Sequence, residues 1–228
     1  MKDYAPDKIR NIALTGHGAS GKTSLAAAML FDAGAVNRLT RVDKGNTVTD
    51  YDPEEVERKI SINTAVCHLE WKDHKVNLVD TPGFSNFLWD TRAGLRAVDA
   101  AALLIDSVAG VEVSTEKVWE MMEELHLPRV IVINKLDREN ANFKTALESV
   151  HQFFGRRAVP VQIPIGEEKH FRGVVDLIKN KAFLFEKDES GKFQETDIPA
   201  EVKDEAGRQR VAMVEMVAES DVSLMEKY

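Results

Sequence analysis

The stretch GHGASGKT, Gly16 to Thr23, restricts what this chain can fold into more than any other. An apolar run, IRNIAL, leads into it and a run of helix formers, SLAAAML, leaves it, so its glycines must turn a strand into a helix within a few residues. A strand that hands over to a helix in this way needs parallel neighbours and helices to cover them. The chain supplies both: after that unit come TAVCHLEW, KVNLVD, a helical pattern around FLWDTRAGLRAV, AAALLID, another around TEKVWEMMEELH, RVIVIN, and another around FKTALESVHQFF. The alternation predicts an α/β fold, a mostly parallel sheet with helices on both faces. Ligand-binding motifs in such a sheet belong at the carboxyl ends of its strands.

After Phe154 the character changes. AVPVQIPIG carries prolines, LIKNKAFLFEKDESGKFQETDIP reads as strands joined by an Asp-Glu-Ser-Gly turn, and an amphipathic acidic helix is expected from Pro199 to about Lys227. The expected division is therefore a core over residues 1–156 and a small α+β unit over 157–228. Gly34 to Ser61 is polar, contains Gly45 and Pro53, and shows no sustained apolar period. A connection that long inside a compact domain is expected to be functional or mobile.

With 228 residues, 43% hydrophobic and 30% charged, the chain can bury one sizeable core and a smaller one and has no disorder signature. No apolar run reaches membrane-spanning length, which leads us to expect a cytoplasmic protein that is neither secreted nor inserted. Cys67 is the only cysteine and falls in an apolar strand pattern, so it reads as a buried structural thiol. The net charge of −8 weighs against broad binding to phosphate backbones and leaves room only for local contacts with nucleic acid. Trp71, Trp89 and Trp119 read as packing residues rather than a platform for bases.

Three motifs carry chemistry. In Gly16, His17, Gly18, Ala19, Ser20 and Gly21 the backbone can wrap an anion, and the helix opening at Lys22, Thr23 and Ser24 adds positive potential. Lys22 can reach β- and γ-phosphates, and Thr23 offers a hydroxyl to Mg²⁺. DTPG begins with Asp80, a strand-end carboxylate able to hold the ion through water, and ends with Gly83, whose N–H can reach a γ-phosphate. NKLD supplies a base reader. The Asp137 carboxylate can accept two hydrogen bonds from guanine, Asn134 can bond another edge, and the Lys135 stem can cover the ring. Together they predict a P-loop NTPase taking GTP and GDP with Mg²⁺.

Over nearly its whole length the chain resembles the translational GTPases, and among them the N-terminal region of elongation factor G. The matching stretches are GHGASGKTS, DYDPEEVERKISINTA, VNLVDTPGF, SVAGVEVSTEKVW, PRVIVINKLDRENANF, PVQIPIGEEKHFRGVVDLIKNKAF and VAESDVSLMEKY, which include the inserted subdomain. The resemblance implies a guanine-nucleotide switch that works on the ribosome, near the sarcin-ricin region of the large-subunit RNA and the stalk proteins. It implies neither a membrane partner nor a homo-oligomer.

The chain departs from the family at informative places. Where the family has a histidine that positions the attacking water stands Phe84, and where it has an aspartate associated with monovalent-cation help stands Ala19. Ser61 matches the switch threonine that holds magnesium and keeps a hydroxyl. The last guanine-contacting loop does not appear before Tyr228, so the nucleotide domain is expected to lack its last strand and helix and to hold nucleotide more weakly than a longer form. The pattern is closer to the elongation-factor-G-like paralogues than to the translocase itself. The catalytic set is then Lys22, Thr23, Ser61 and Gly83, with Phe84 in place of the histidine, and the expectation is slow intrinsic hydrolysis. A GTP-responsive ribosome-binding module that hydrolyses little stands as the alternative, and an ATP-using P-loop protein as a third. His17 is expected to be structural, with rescue of the missing histidine as its other possible role.

Overall fold

A computed structural model gives the fold and describes residues 2–188 and 190–226; Glu189, Lys227 and Tyr228, on which parts of the turn and helix expectations fall, lie outside the described residues. By compactness the chain forms two units, Met1–Asn134 and Lys135–Tyr228.

The first unit is built on a five-stranded sheet. Its strands are β1 (Ile9–Gly16), β2 (Ala65–Trp71), β3 (His74–Asp80), β4 (Ala100–Asp106) and β5 (Arg129–Asn134), in the spatial order β2-β3-β1-β4-β5. All neighbours are parallel except β2, which runs antiparallel to β3. The central strands read as near-continuous apolar runs because both faces are covered. On one face α1 (Lys22–Asp32) packs its small Ala26 against Leu14, Ala102 and Leu104, while Leu30 meets Cys67, Leu69 and Leu78 farther along. The opposite face is covered by α3 (Leu88–Leu95) and α4 (Val113–Glu124), which bury Leu95, Val118 and Met122. Burial of Cys67 pushes its thiol up to about 11, which keeps it protonated and inert. The short helix α2 (Pro53–Arg58) interrupts the long polar segment.

The second unit begins with α5 (Phe143–Phe154), opened by the Asn142 side chain accepting from Thr145 N at 2.9 Å. An antiparallel sheet follows, β6 (Gln162–Ile165), β7 (Gly173–Asp176), β8 (Lys181–Phe185) and β9 (Phe193–Thr196), each strand pairing with the next. Its apolar face, Ile163, Ile165, Val175 and Ala182, is covered by Ala206 and Met213 of α6 (Ala200–Ala218). The expected single acidic helix is shorter than the sequence pattern indicates. Ser220 Oγ bonds the Val217 carbonyl and Asp221 caps a new turn, α7 (Val222–Met225), by accepting from Ser223 N at 2.7 Å.

The register aligns the ends that matter: Leu14 of β1 lies opposite Asp80, Gly16 opposite Leu104, and Asp106 opposite Asn134. Gly16 must be glycine. Its φ is +137°, and a Cβ there would stand 2.3 Å from the Leu104 carbonyl oxygen, a backbone atom of the neighbouring strand. Gly16→Ala should therefore cost about 3 kcal/mol, adding overpacking to left-handed backbone strain. The check is urea unfolding of the variant, with the midpoint falling and the slope unchanged.

Candidate functional site

The carboxyl ends of β1 and β3 bring the first two motifs together. Beyond Gly16 the loop turns through Ala19 at φ 60° and Gly21 at φ 98°, and no side chain caps α1. The N–H groups of its first turn, together with the helix dipole, favour an anion there. Ser20 is fully buried, with its hydroxyl oxygen unpartnered, and Thr23 is also buried. The buried Lys22 ammonium donates to the carbonyls of Gly16 at 3.2 Å and His17 at 2.7 Å.

The DTPG turn is fastened to β1 and to α3. Thr81 donates to the Leu14 carbonyl through both its N–H, at 3.1 Å, and its hydroxyl, at 2.9 Å, while Thr91 Oγ1 donates to Pro82 O at 2.8 Å. This presses Gly83 onto the loop. A Cβ at Gly83 would lie 2.3 Å from Lys22 Nζ and 2.6 Å from the His17 carbonyl oxygen, so only glycine lets the turn come this close. Phe84 follows with its ring against Gly18, its carbons 3.0–3.2 Å from where a side chain there would begin. The phenyl group is exposed and offers neither a donor nor an acceptor.

Ser61 arrives from the polar segment. Its Oγ lies 3.0 Å from Thr23 Oγ1 and donates to Asp50 Oδ1 at 2.7 Å. Beside them Thr49 Oγ1 donates to Asp80 Oδ2 at 2.8 Å. Asp50 Oδ2 and Asp80 Oδ1 are buried and have no hydrogen-bond partner. Burial pushes Asp80 up to about 6, with Thr49, Thr23 and Lys22 pulling the other way and the Asp50 charge adding to the rise. Asp50 is raised as well, chiefly by desolvation, against the Ser61 hydrogen bond. Two buried carboxylates with unpartnered oxygens beside two hydroxyls form a donor set for a small hard cation. Among the described residues no cluster of three or more His, Cys, Asp or Glu could hold a metal.

Asp50 and Thr49 carry no local sequence signal, because what brings them to the site is distant in the chain: Ser61, 11 residues beyond Asp50, and Asp80, 31 residues beyond Thr49. The long polar segment is thus folded onto the start of α1.

His17 is almost fully buried and turned toward α4: its Nδ1 lies 3.0 Å from Thr115 Oγ1, and its Nε2 3.9 Å from Glu112 Oε1. Asn134, at the end of β5, donates through Nδ2 to the Ser20 carbonyl at 2.9 Å, joining the third motif to the glycine loop. Lys135 and Asp137 fall in the second unit, in a turn closed by Arg138 N donating to the Lys135 carbonyl at 3.1 Å. The Asp137 side chain there is exposed. Of the tryptophans, Trp89 and Trp71 are exposed on the surface, and Trp119 carries the Arg129 guanidinium 4.0 Å above its ring. No helix among the described residues is long and apolar enough to cross a membrane.

Residues 7–225 match the family described as the elongation factor Tu GTP binding domain. The chain is 40% identical over 222 residues to an elongation factor G from Thermotoga sp. (strain RQ2), covering 97% of this chain and 32% of that protein. It is also 40% identical over 229 residues to an elongation factor G from Granulibacter bethesdensis, covering all of this chain and 33% of that one. A crystal structure of a protein from Thermus thermophilus superposes with a TM-score of 0.91 at 37% identity, over 97% of this chain and 33% of that one. The chain thus spans about a third of the length of these relatives.

The contacts of His17 give it a structural part that can be measured. Thr115→Val removes the hydroxyl beside Nδ1, and with it the acceptor of Glu112 N at 3.4 Å. Stability should fall by about 2 kcal/mol, the scale of a buried polar group losing its partner. Chemical denaturation of the variant beside the parent reads this directly.

Proposed function

Because the chain belongs to the elongation factor Tu GTP binding domain family, we propose that it binds and hydrolyses GTP as the nucleotide domain of an elongation-factor-G-like translation factor on the ribosome, with slow intrinsic hydrolysis. The observation that carries this is the meeting of Thr23, Ser61 and Asp80 beside the glycine loop. A switch segment that closes on a P-loop hydroxyl and a strand-end carboxylate is the geometry by which a γ-phosphate is sensed.

The roles follow from chemistry. The N–H groups of residues 16–24 and the open first turn of α1 cradle the phosphates, and Lys22 exchanges its carbonyl partners for β- and γ-oxygens. Gly83, in a turn whose close approach to Lys22 leaves no room for a side chain, would offer its N–H to the γ-phosphate. Thr23 and Ser61 would hold Mg²⁺ directly, with Asp80, and by the same logic Asp50, through water. Held there, a Mg²⁺ ion would supply neutralising charge for the phosphates. Asn134, Lys135 and Asp137 read guanine, the carboxylate accepting from its N1–H and amine. By function the nucleotide domain core is taken to extend to residue 156, past the end of the compact first unit at Asn134, with the α+β insertion following it. Contacts with the sarcin-ricin RNA and the stalk proteins, and a cytoplasmic location, belong to the same proposal.

Phe84 sets the rate. Its ring can neither accept the proton of an attacking water nor orient it, and Ala19 offers no carboxylate for a monovalent cation. The contacts that order the switch use neither side chain, so binding and shape change survive while the chemical step is slow. Phe84→His in the full-length protein should raise single-turnover GTP cleavage by about 10²-fold or more, within the range for a restored acid/base group. Rapid-quench measurements with and without ribosomes test this. A gain in neither setting would show that Phe84 does not limit hydrolysis, and fast cleavage by the parent on ribosomes would show that the RNA supplies the missing partner.

A further inference from the structure

We propose that Glu55 is a positioning residue for the metal site: its buried carboxylate fixes the backbone around Ser61 and through it holds the Ser61 hydroxyl beside Thr23. The inference rests on the assignment of Ser61 to the ion made above.

Glu55 sits in a short helix of polar and charged residues, PEEVER, yet is only 1% exposed. Burying a carboxylate is costly unless its oxygens are bonded, and those of Glu55 are. Oε2 accepts from Asp52 N at 3.2 Å, which completes the capping box that opens α2. Oε1 does something a cap does not require: it accepts from both Ile62 N and Asn63 N, each at 2.9 Å. These are the two residues directly after Ser61. On the other side of Ser61, the Glu55 main-chain carbonyl accepts from Lys59 N and, at 3.3 Å, from Ile60 N. Between them Lys59 turns the chain at φ 57°. One residue therefore grips the chain both before and after Ser61, leaving that hydroxyl little freedom. The Ser61 Oγ points at Thr23 Oγ1, 3.0 Å away, and at Asp50. Loss of an outer partner that orients a ligand in this way typically costs about 10-fold to 100-fold in metal affinity.

A capping role and a positioning role make opposite predictions for two variants. Asp52→Ala removes the side chain that accepts from Glu54 N at 2.8 Å and weakens the same helix while leaving Glu55 in place. Glu55→Gln keeps an oxygen for Ile62 N and Asn63 N but puts an amide where Asp52 N needs an acceptor. Release of a fluorescent non-hydrolysable GTP analogue from the intact protein, followed by stopped flow across a Mg²⁺ titration, gives a midpoint for each variant.

The parent, D52A and E55Q should share one midpoint. S61A and E55A should need on the order of 10-fold to 100-fold more Mg²⁺, the usual cost of losing a ligand's support. The double variant E55A/S61A should go no further than S61A alone, because the two residues act through one hydroxyl. Should circular dichroism show E55A unfolded, E55D, which withdraws the acceptors by one methylene, is expected to shift the midpoint in the same direction.

The positioning role is overturned if D52A shifts as far as E55A, if neither E55A nor E55D shifts, or if the E55A and S61A effects multiply. An S61A midpoint equal to the parent's is a different result: it removes Ser61 from the ion, and the role of Glu55 falls with it.

Discussion

The hydroxyl of Ser61, 3.0 Å from Thr23 and 2.7 Å from Asp50, is the contact on which the candidate site depends. It fastens the one long polar stretch of the first unit to the opening of α1. Without it, Asp50 would be a buried carboxylate short of the hydrogen bond that Oδ1 now accepts, and the segment would gain more by returning to water. With it, two carboxylates and two hydroxyls stand together where the phosphate loop begins. Such a cluster is costly by itself, since burial raises both Asp80 and Asp50 and the Asp50 charge adds to the rise at Asp80, a cost that the proposed cation would offset.

The sheet makes this meeting possible. Parallel β3 ends at Asp80, opposite Leu14 near the end of β1, so the loop after Gly16 and the turn after Asp80 open on the same side. Thr81 fastens that turn to the Leu14 carbonyl, and the missing side chain of Gly83 lets it approach Lys22. At the other flank β4 and β5 end level at Asp106 and Asn134, and the Asn134 amide reaches back to Ser20. Each motif is thus held by a neighbouring strand as well as by its own.

What could be read in the sequence follows from how local each cause is. A strand buried on both faces appears as an unbroken apolar run, which is why AAALLID falls where expected. The glycine loop is legible because the backbone demands at Gly16 and Gly21 are local. The polar segment was not legible beyond its length. Asp50 is fixed by Ser61, 11 residues on, and Thr49 by Asp80, 31 residues on, and neither pairing leaves a periodic trace. The Asp52-Pro53-Glu54-Glu55 opening did carry a readable signal, a helix cap with an acid three residues later. The break after Ala218 was hidden because the apolar spacing continues across it, while Ser220 and Asp221 redirect the backbone through their own hydrogen bonds.

Competition for the site tests the proposed guanine recognition most directly. Labelled GDP bound to the protein with Mg²⁺ is displaced by unlabelled GTP or by ATP, and the two displacement curves are compared. If Asp137 reads the base as proposed, its carboxylate would pair with the guanine edge and face an acceptor in adenine, so GTP should displace the label at concentrations at least 10²-fold lower than ATP, about what a few kcal/mol of unpaired polar group costs. Equal displacement by the two nucleotides would contradict the assignment of the base-reading residues and the guanine-nucleotide switch built on it.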